Sequence, residues 1–313
     1  SLKVVLRNLG IPEAKLQGSL RKFPGVRWLR GVHSCAVRWI QFPGRDLGGS
    51  LHPDIGKLTK LRVLDLSDTN VSGSLDVLAN HTELRGLSLR HTRVTGRLED
   101  LPKAKGLWTL DLTGTEVTGD VTALANATEL NHLRLSNTGV SGELKSLAKL
   151  QKLEELELSN TAVFGELKPL VNLNKLEELD LSNTAVSGEL KSLAKMTELR
   201  QLDLANLKVV GDAAVMAEWS KIERVDLSGT EVEFAKSDFL QQFQPLKGMF
   251  WTEQRGLSFQ WKCPLPPALR FLDVSRTSQF SLAQDLVRPF AGCGKLATLK
   301  AAGCGLTGPL WPK

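Results

Sequence analysis

Apolar residues recur along most of this chain in a frame of 23 residues. Eight copies of L-x-x-L-x-L-S-x-T-x-V-x-G-x-L-x-x-L begin at Leu61, Leu84, Leu107, Leu130, Leu153, Leu176, Leu199 and Ile222. Within each copy the L-x-x-L-x-L half alternates apolar with polar side chains, which a strand converts into one buried and one exposed face. In Leu61-Arg-Val-Leu64-Asp-Leu66 the leucines are expected inward, with Arg62 and Asp65 outward. Successive strands are expected to pair in parallel. The glycine column at Gly73, Gly96, Gly119, Gly142, Gly165, Gly188 and Gly211 predicts a turn. The short return after it, such as Lys145-Ser-Leu-Ala-Lys-Leu150, predicts a turn of helix or 3₁₀.

Self-similarity at this period with this leucine spacing is the signature of a leucine-rich repeat. The phase extends upstream to Val37, and downstream through Leu246, Leu269 and Leu296. The expected fold is therefore an α/β repeat solenoid, a horseshoe or arc. It has a parallel β-sheet on the concave face and short helical or irregular convex returns. Residues 1–36 are read as a basic N-terminal flank or cap, and 37–313 as about twelve repeats, irregular at 234–268. The half-repeat Leu47-Gly-Gly-Ser-Leu51 and the segment Trp28-Leu-Arg-Gly31-Val32-His-Ser-Cys35 resemble the plant-type repeats of receptor-kinase ectodomains and polygalacturonase-inhibiting proteins. Copies of the form L-S-x-T-x-V-S-G-x-L are similar also to uncharacterised algal repeat proteins. The resemblance departs from the plant pattern in lacking a cysteine before Trp28 and in placing threonine where asparagine is usual. It implies a binding surface and no particular chemistry.

The threonine column (Thr69, Thr92, Thr115, Thr138, Thr161, Thr184, Thr230, Thr277) falls at an inward position. It is read as hydrogen bonding to turn backbone, because buried backbone groups do not stay unpaired. An ice-binding reading would need the same hydroxyls to face solvent. Four cysteines (Cys35, Cys263, Cys293, Cys304) make no dense disulfide framework, and at most one bridge, such as Cys293–Cys304, is expected. Sequons at Asn70, Asn80 and Asn126 are read as by-products of the repeat. No run of 18 apolar residues predicts a transmembrane helix. The chain begins at Ser1 and ends at Leu310-Trp-Pro-Lys313 with no evident capping segment, so its ends are expected to be covered by a partner or by further sequence.

The net charge of +6 is unevenly distributed. Residues 1–60 hold eleven Lys or Arg against three Asp or Glu, and the rest of the chain is slightly acidic. A basic N-terminus admits contact with a membrane surface or an acidic protein. Nucleic acid is disfavoured, since no basic stripe runs along the strands. On the concave face the pattern exposes Arg85, Arg90, His91, Trp108, His132 and Arg134, then Glu154, Glu155, Glu157, Glu177, Glu178 and Asp180. The first group has the make-up of a protein-binding hot spot. The second sets like charges on neighbouring strands, which a basic partner, a hard cation or solvent screening would have to offset. A bipolar partner is expected, acidic against the arginines and basic against the carboxylates. Phe250, Trp251 and Trp261 form a possible aromatic contact in the irregular stretch. No nucleophile–base pair, phosphate loop or metal-ligand spacing occurs, so no catalytic residue, cofactor or metal is assigned. The expected function is a non-catalytic protein-binding or scaffold solenoid within a larger assembly. The alternative is an extracellular receptor-like or inhibitor ectodomain reading a peptide or glycan.

Overall fold

The computed structural model describes residues 2–17, 19–30, 35–103, 105–233, 245–252, 259–261, 267–276, 280–282 and 295–302. The chain divides into two compact units, Ser1–Val163 and Phe164–Lys313.

In the first unit each repeat delivers a three-residue strand at its L-x-L segment. Val63–Asp65, Gly86–Ser88, Thr109–Asp111, His132–Arg134 and Glu155–Glu157 pair in parallel in that order. Alternation decides the faces as expected: Leu61, Leu64 and Leu66 are fully buried, while Val63 and Asp65 are half-exposed. The sheet continues upstream into Cys35–Gln41, which is parallel to Val63–Asp65. Val26–Arg30 then lies antiparallel to Cys35–Gln41 and ends the parallel series. Ahead of it, the helix Leu2–Asn8 buries Leu2, Val5 and Leu6. This helix packs beside the 3₁₀ helices Glu13–Leu16 and Pro53–Lys57. Lys3 and Arg7 both pair with Glu13, so part of the basic excess there is neutralised locally.

The glycine column does not make a turn. It lies in a second parallel sheet, formed in the first unit by Ser72–Ser74, Arg93–Arg97, Glu116–Asp120 and Gly139–Glu143. Val94, Val117 and Val140 point into the core from these strands. Gly96 has φ +114°, and a Cβ there would sit 3.0 Å from the backbone nitrogen of Leu75. At Gly119 the corresponding approach to Leu98 N is 2.7 Å. Glycine is required because the backbone of the preceding repeat comes this close. Each strand then enters a short 3₁₀ helix, such as Leu75–Leu78 or Leu144–Leu147, whose leucines seal the core.

The turn between the two strands of a repeat is held by the threonines. Oγ1 of Thr69, Thr92, Thr115, Thr138 and Thr161 donates to the carbonyl three residues back at 2.6–2.7 Å. These threonines are buried, which removes the ice-binding reading. Before each threonine the backbone passes through the left-handed region, at Asp68, His91, Gly114, Asn137 and Asn160. Asn, Asp and Gly are the residues that tolerate it. The amide of Asn160 donates to Asn137 at 3.0 Å, linking neighbouring repeats.

The second unit repeats this plan. Its first sheet orders Glu178–Asp180, Gln201–Asp203, Arg224–Asp226, Gly248–Phe250, Phe271–Asp273 and Thr298–Lys300, all parallel. Its second sheet pairs Phe164, Gly165 and Glu166, from the strand Ala162–Glu166, with Ala185–Glu189, followed by Lys208–Asp212 and Glu231–Glu233. Thr184 and Thr230 make the same turn bond. Much of the irregular stretch, together with Thr277, Cys263, Cys293, Cys304 and the C-terminal Leu310–Lys313, lies outside the described residues. No helix among the described residues is long and apolar enough to cross a membrane.

Candidate binding face on the strand ladder

The outward positions of the first sheet form a face, and in the first unit one residue on it is missing its side chain. Gly86 stands between Val63 and Thr109 on the adjacent strands. A Cβ at Gly86 would meet Val63 Cγ2 and Cγ1 at 3.6 and 3.7 Å, an ordinary contact. Its φ is not in the left-handed region, so the backbone would accept another residue. Over it lies a hollow of about 460 Å³, bordered by Trp39, Val63, Gly86, Trp108 and Thr109, with Arg62 and Arg85 along one side and Gln41, Asp65 and Ser88 along the other. Trp108 keeps half of its surface exposed, and the Arg85 guanidinium lies 5.3 Å from its ring centroid. That contact is worth about 0.5–1 kcal/mol at an exposed site.

The remaining first-unit residues expected on this face divide by what they touch. Arg90 and His91 sit past the end of their strand, in the turn, and both contact Asp68: Arg90 at 3.5 Å and His91 Nδ1 at 2.9 Å. Arg134 is the centre of an ion-pair cluster. It pairs closely with Glu155, reaches Glu157 at 3.4 Å and approaches Asp111 at 4.0 Å. His132 Nδ1 lies 3.3 Å from Glu155 but without hydrogen-bond alignment. Glu154 accepts from the Asn131 amide at 3.1 Å. Part of the expected basic half and part of the expected acidic half therefore meet each other. Arg134 and the carboxylates Glu155 and Glu157 satisfy one another within the unit, as opposite charges on adjacent strands do.

A different cationic cluster, absent from the sequence-based set, flanks the hollow. Glu83 receives Lys60 and Arg38 at 2.6 Å each, with Arg62 at 3.6 Å. The hydrogen bond from Lys60, followed by that from Arg38, holds the Glu83 carboxyl at about 2. Of these cations Arg62 borders the hollow, together with Arg85. No ion pair to Arg85 is found among the described residues.

In the second unit Glu177 pairs with Arg200 at 3.0 Å, and Glu178 accepts from the Gln201 amide at 2.8 Å. Asp180 Oδ1 accepts from the backbone N–H and the hydroxyl of Ser182, so much of its role is to shape the turn. Asp203 and Asp226 make the same bond to the nitrogen two residues on, at 3.0 Å each. Asp180, Asp203 and Asp226 are direct neighbours across the sheet. Burial, chiefly, and then the charges of Asp226 and Asp180 raise the Asp203 carboxyl to about 6. Phe250 is half-buried and stacked on Phe271 at 4.6 Å between centroids, beneath the Arg224 guanidinium at 4.4 Å. Trp251 is 6% exposed and belongs to the core, which corrects its assignment as a contact residue. It comes directly after the strand Gly248–Phe250, so alternation turns it inward. The side chain of Trp261 lies outside the described residues.

The comparisons agree with this geometry. A family model described as a leucine-rich repeat region matches residues 46–289. The chain belongs to the leucine-rich repeat family. Among solved structures, a TDR receptor aligns with TM-score 0.67 and 21% identity over 84% of this chain and 50% of its own. An internalin from Listeria monocytogenes aligns with TM-score 0.65 and 15% identity over 95% and 94%. The Arabidopsis receptor kinase HAESA, solved with the peptide hormone IDA and a co-receptor, aligns with TM-score 0.60 and 23% identity over 75% and 42%. The chain thus spans half or less of the TDR receptor and HAESA structures. At these identities the likeness carries the fold.

Proposed function

We propose that this leucine-rich repeat chain is a non-catalytic protein-binding module and a component of a larger protein assembly. It takes its partner on the strand face of the first unit. The observation that carries the reading is the exposed Trp108, with the Arg85 guanidinium over its ring, at the edge of an apolar hollow. An aromatic beside an arginine at the centre of a face is the make-up of an interface hot spot. Parallel strands hydrogen-bonded to their neighbours give a rigid platform, so little backbone ordering entropy is lost on association. HAESA, one of the structures it resembles, binds a peptide hormone, which supports a peptide-like ligand here by analogy. The test is recovery of the protein from its source, alone and as Trp108→Ala. A stoichiometric protein partner that is retained by the native chain and lost from the variant is expected. A monomer with no bound protein, or a partner held equally by both, would sink the reading.

A second reading, an extracellular receptor-like or inhibitor ectodomain, is favoured by the exposure of Asn70, Asn80 and Asn126, the three sequon asparagines. Glycans found on Asn80 or Asn126 by mass spectrometry of the native protein would select it; bare asparagines at both would remove it.

A further inference from the structure

If the strand face of the first unit is the binding face, its hollow specifies the chemistry of the partner. We infer that the site over Gly86 binds an acidic peptide segment by seating one large apolar side chain between Trp39, Val63 and Trp108, with neighbouring carboxylates set against Arg62 and Arg85.

Three observations converge on this occupant. The first is that glycine at position 86 has no steric reason. Its φ is ordinary, and a Cβ would make only normal contact with Val63. Glycine in a strand interior costs roughly 0.5–1 kcal/mol relative to alanine. Here that cost relieves no clash, and a hollow lies over the position. The second is the shape and lining. A hollow of about 460 Å³ falls within the size of small-ligand pockets, and its walls are an indole on each side and a valine. An aromatic or long aliphatic side chain would occupy part of it, beside the half-buried Val63, Asp65 and Thr109 of the strands on either side.

The third observation is charge. Arg38, Lys60 and Arg62 all converge on Glu83, and Arg85 adds a further cation stacked on Trp108. Glu83 is thus shared among three cations, and the hollow itself is bordered by Arg62, 3.6 Å from that carboxylate, and by Arg85. The opposite side offers Asp65, whose Oδ1 already accepts from the backbone N–H and the hydroxyl of Ser67. A basic segment would meet like charge on the first flank. An acidic one would complete the pairing and approach faster at low salt.

The experiment uses the full chain as bait for a phage-displayed random-peptide library, with the most enriched peptide resynthesised for titration. Enriched sequences should carry one Trp, Phe or Leu beside Asp or Glu. Gly86→Leu, which puts a side chain into the floor of the hollow at a position the backbone accepts, should weaken the synthetic peptide at least about tenfold, and so should Arg85→Glu. Circular dichroism confirms that both variants fold. Enrichment of basic or neutral peptides, no enrichment, or full affinity in Gly86→Leu would overturn the assignment. Self-association of the chain that Gly86→Leu abolishes would also overturn it, in favour of a second copy as occupant. Loss of binding in Trp108→Ala but not in Gly86→Leu would leave the binding face standing and remove only this occupant. Binding unchanged in both would remove the face as well.

Discussion

Two strands on the same kind of face carry glycine at the same repeat position, and they end in opposite states. Gly86–Ser88 in the first unit and Gly248–Phe250 in the second each lie between strands that end in aspartate, Asp65 and Asp111 in one case and Asp226 and Asp273 in the other. In the second unit the ring of Phe250 closes the space over Gly248, with its Cε2 3.6 Å from where a Cβ would stand. Arg224 caps that ring, Phe271 stacks on it, and Lys300 covers Phe271 at 5.3 Å. In the first unit the residue two places on is Ser88, too short to reach, and the space stays open. One side chain separates a packed patch from a hollow. The glycine alone therefore does not identify a site; the residue two positions later decides whether the gap is filled from within.

The charge pattern differs between the units in the same way. The first sets Asp111 beside Arg134, so unlike charges meet. The second sets three aspartates side by side, and Asp203 in the middle holds its proton to about 6. Each aspartate is fixed there because it also caps the turn at the end of its strand, so a structural duty keeps a row of like charges in place.

The strongest challenge to this comparison is Phe250→Ser, which gives the second unit the glycine–serine pattern of the first. It should cost about 2–3 kcal/mol in urea unfolding, from lost burial, stacking and cation–π contact at a half-buried site. A loss below the measurement error would mean that the ring covers the glycine without stabilising it.

A smaller effect is expected from Asp203→Asn. The folded-state value of about 6 lies above the ordinary carboxylate value, so the charged form is penalised and stability falls as pH rises through this range. The amide keeps an acceptor for the Ala205 nitrogen and carries no charge. The variant should be more stable than the native chain by about 1 kcal/mol at pH near 8, discounted for partial exposure, with the gap closing at pH near 4. A gap that persists unchanged in acid would show that packing, not charge, sets it.

The smallest change in stability is expected from Ser88→Phe, the reciprocal graft. Filling an existing hollow should shift the unfolding midpoint by no more than about 1 kcal/mol in either direction. Binding of the acidic peptide selected on the native chain should nevertheless fail. Retained binding would place the peptide elsewhere on the face.

Much of the architecture is legible in the chain because side-chain period and backbone period coincide. Leu61, Leu64 and Leu66 recur at every repeat, and only a strand whose alternate residues are buried satisfies that spacing. The inward threonines come from the same count, and each finds its carbonyl three residues back. The second sheet is also written in the sequence, in the alternation around Val94 and Val117, but the glycine between them reads as a turn signal. Its real requirement, the nearness of Leu75 and Leu98 backbone from the preceding repeat, is a contact between residues about twenty positions apart. The pattern alone picks out Trp108. It does not pick out Gly86, although a glycine at an outward strand position marks room as well as flexibility.

The sequence by itself determined the repeat, its phase, the inward and outward positions and therefore the fold, because burying a leucine at each fixed interval admits few backbones. Only the tertiary structure decided which outward residues remain available. Arg134 and Arg85 occupy the same face in the sequence pattern, yet Arg134 is consumed by Glu155 and Glu157 while Arg85 stacks on Trp108. Phe250 and Trp251 are adjacent in the chain, yet one lies over a glycine and the other in the core. The physical reason is the range of the interactions. Hydrophobic alternation acts along a strand and can be read from neighbours in sequence, whereas ion pairing and the filling of a gap depend on what the next strand, some 23 residues away, brings to the same place.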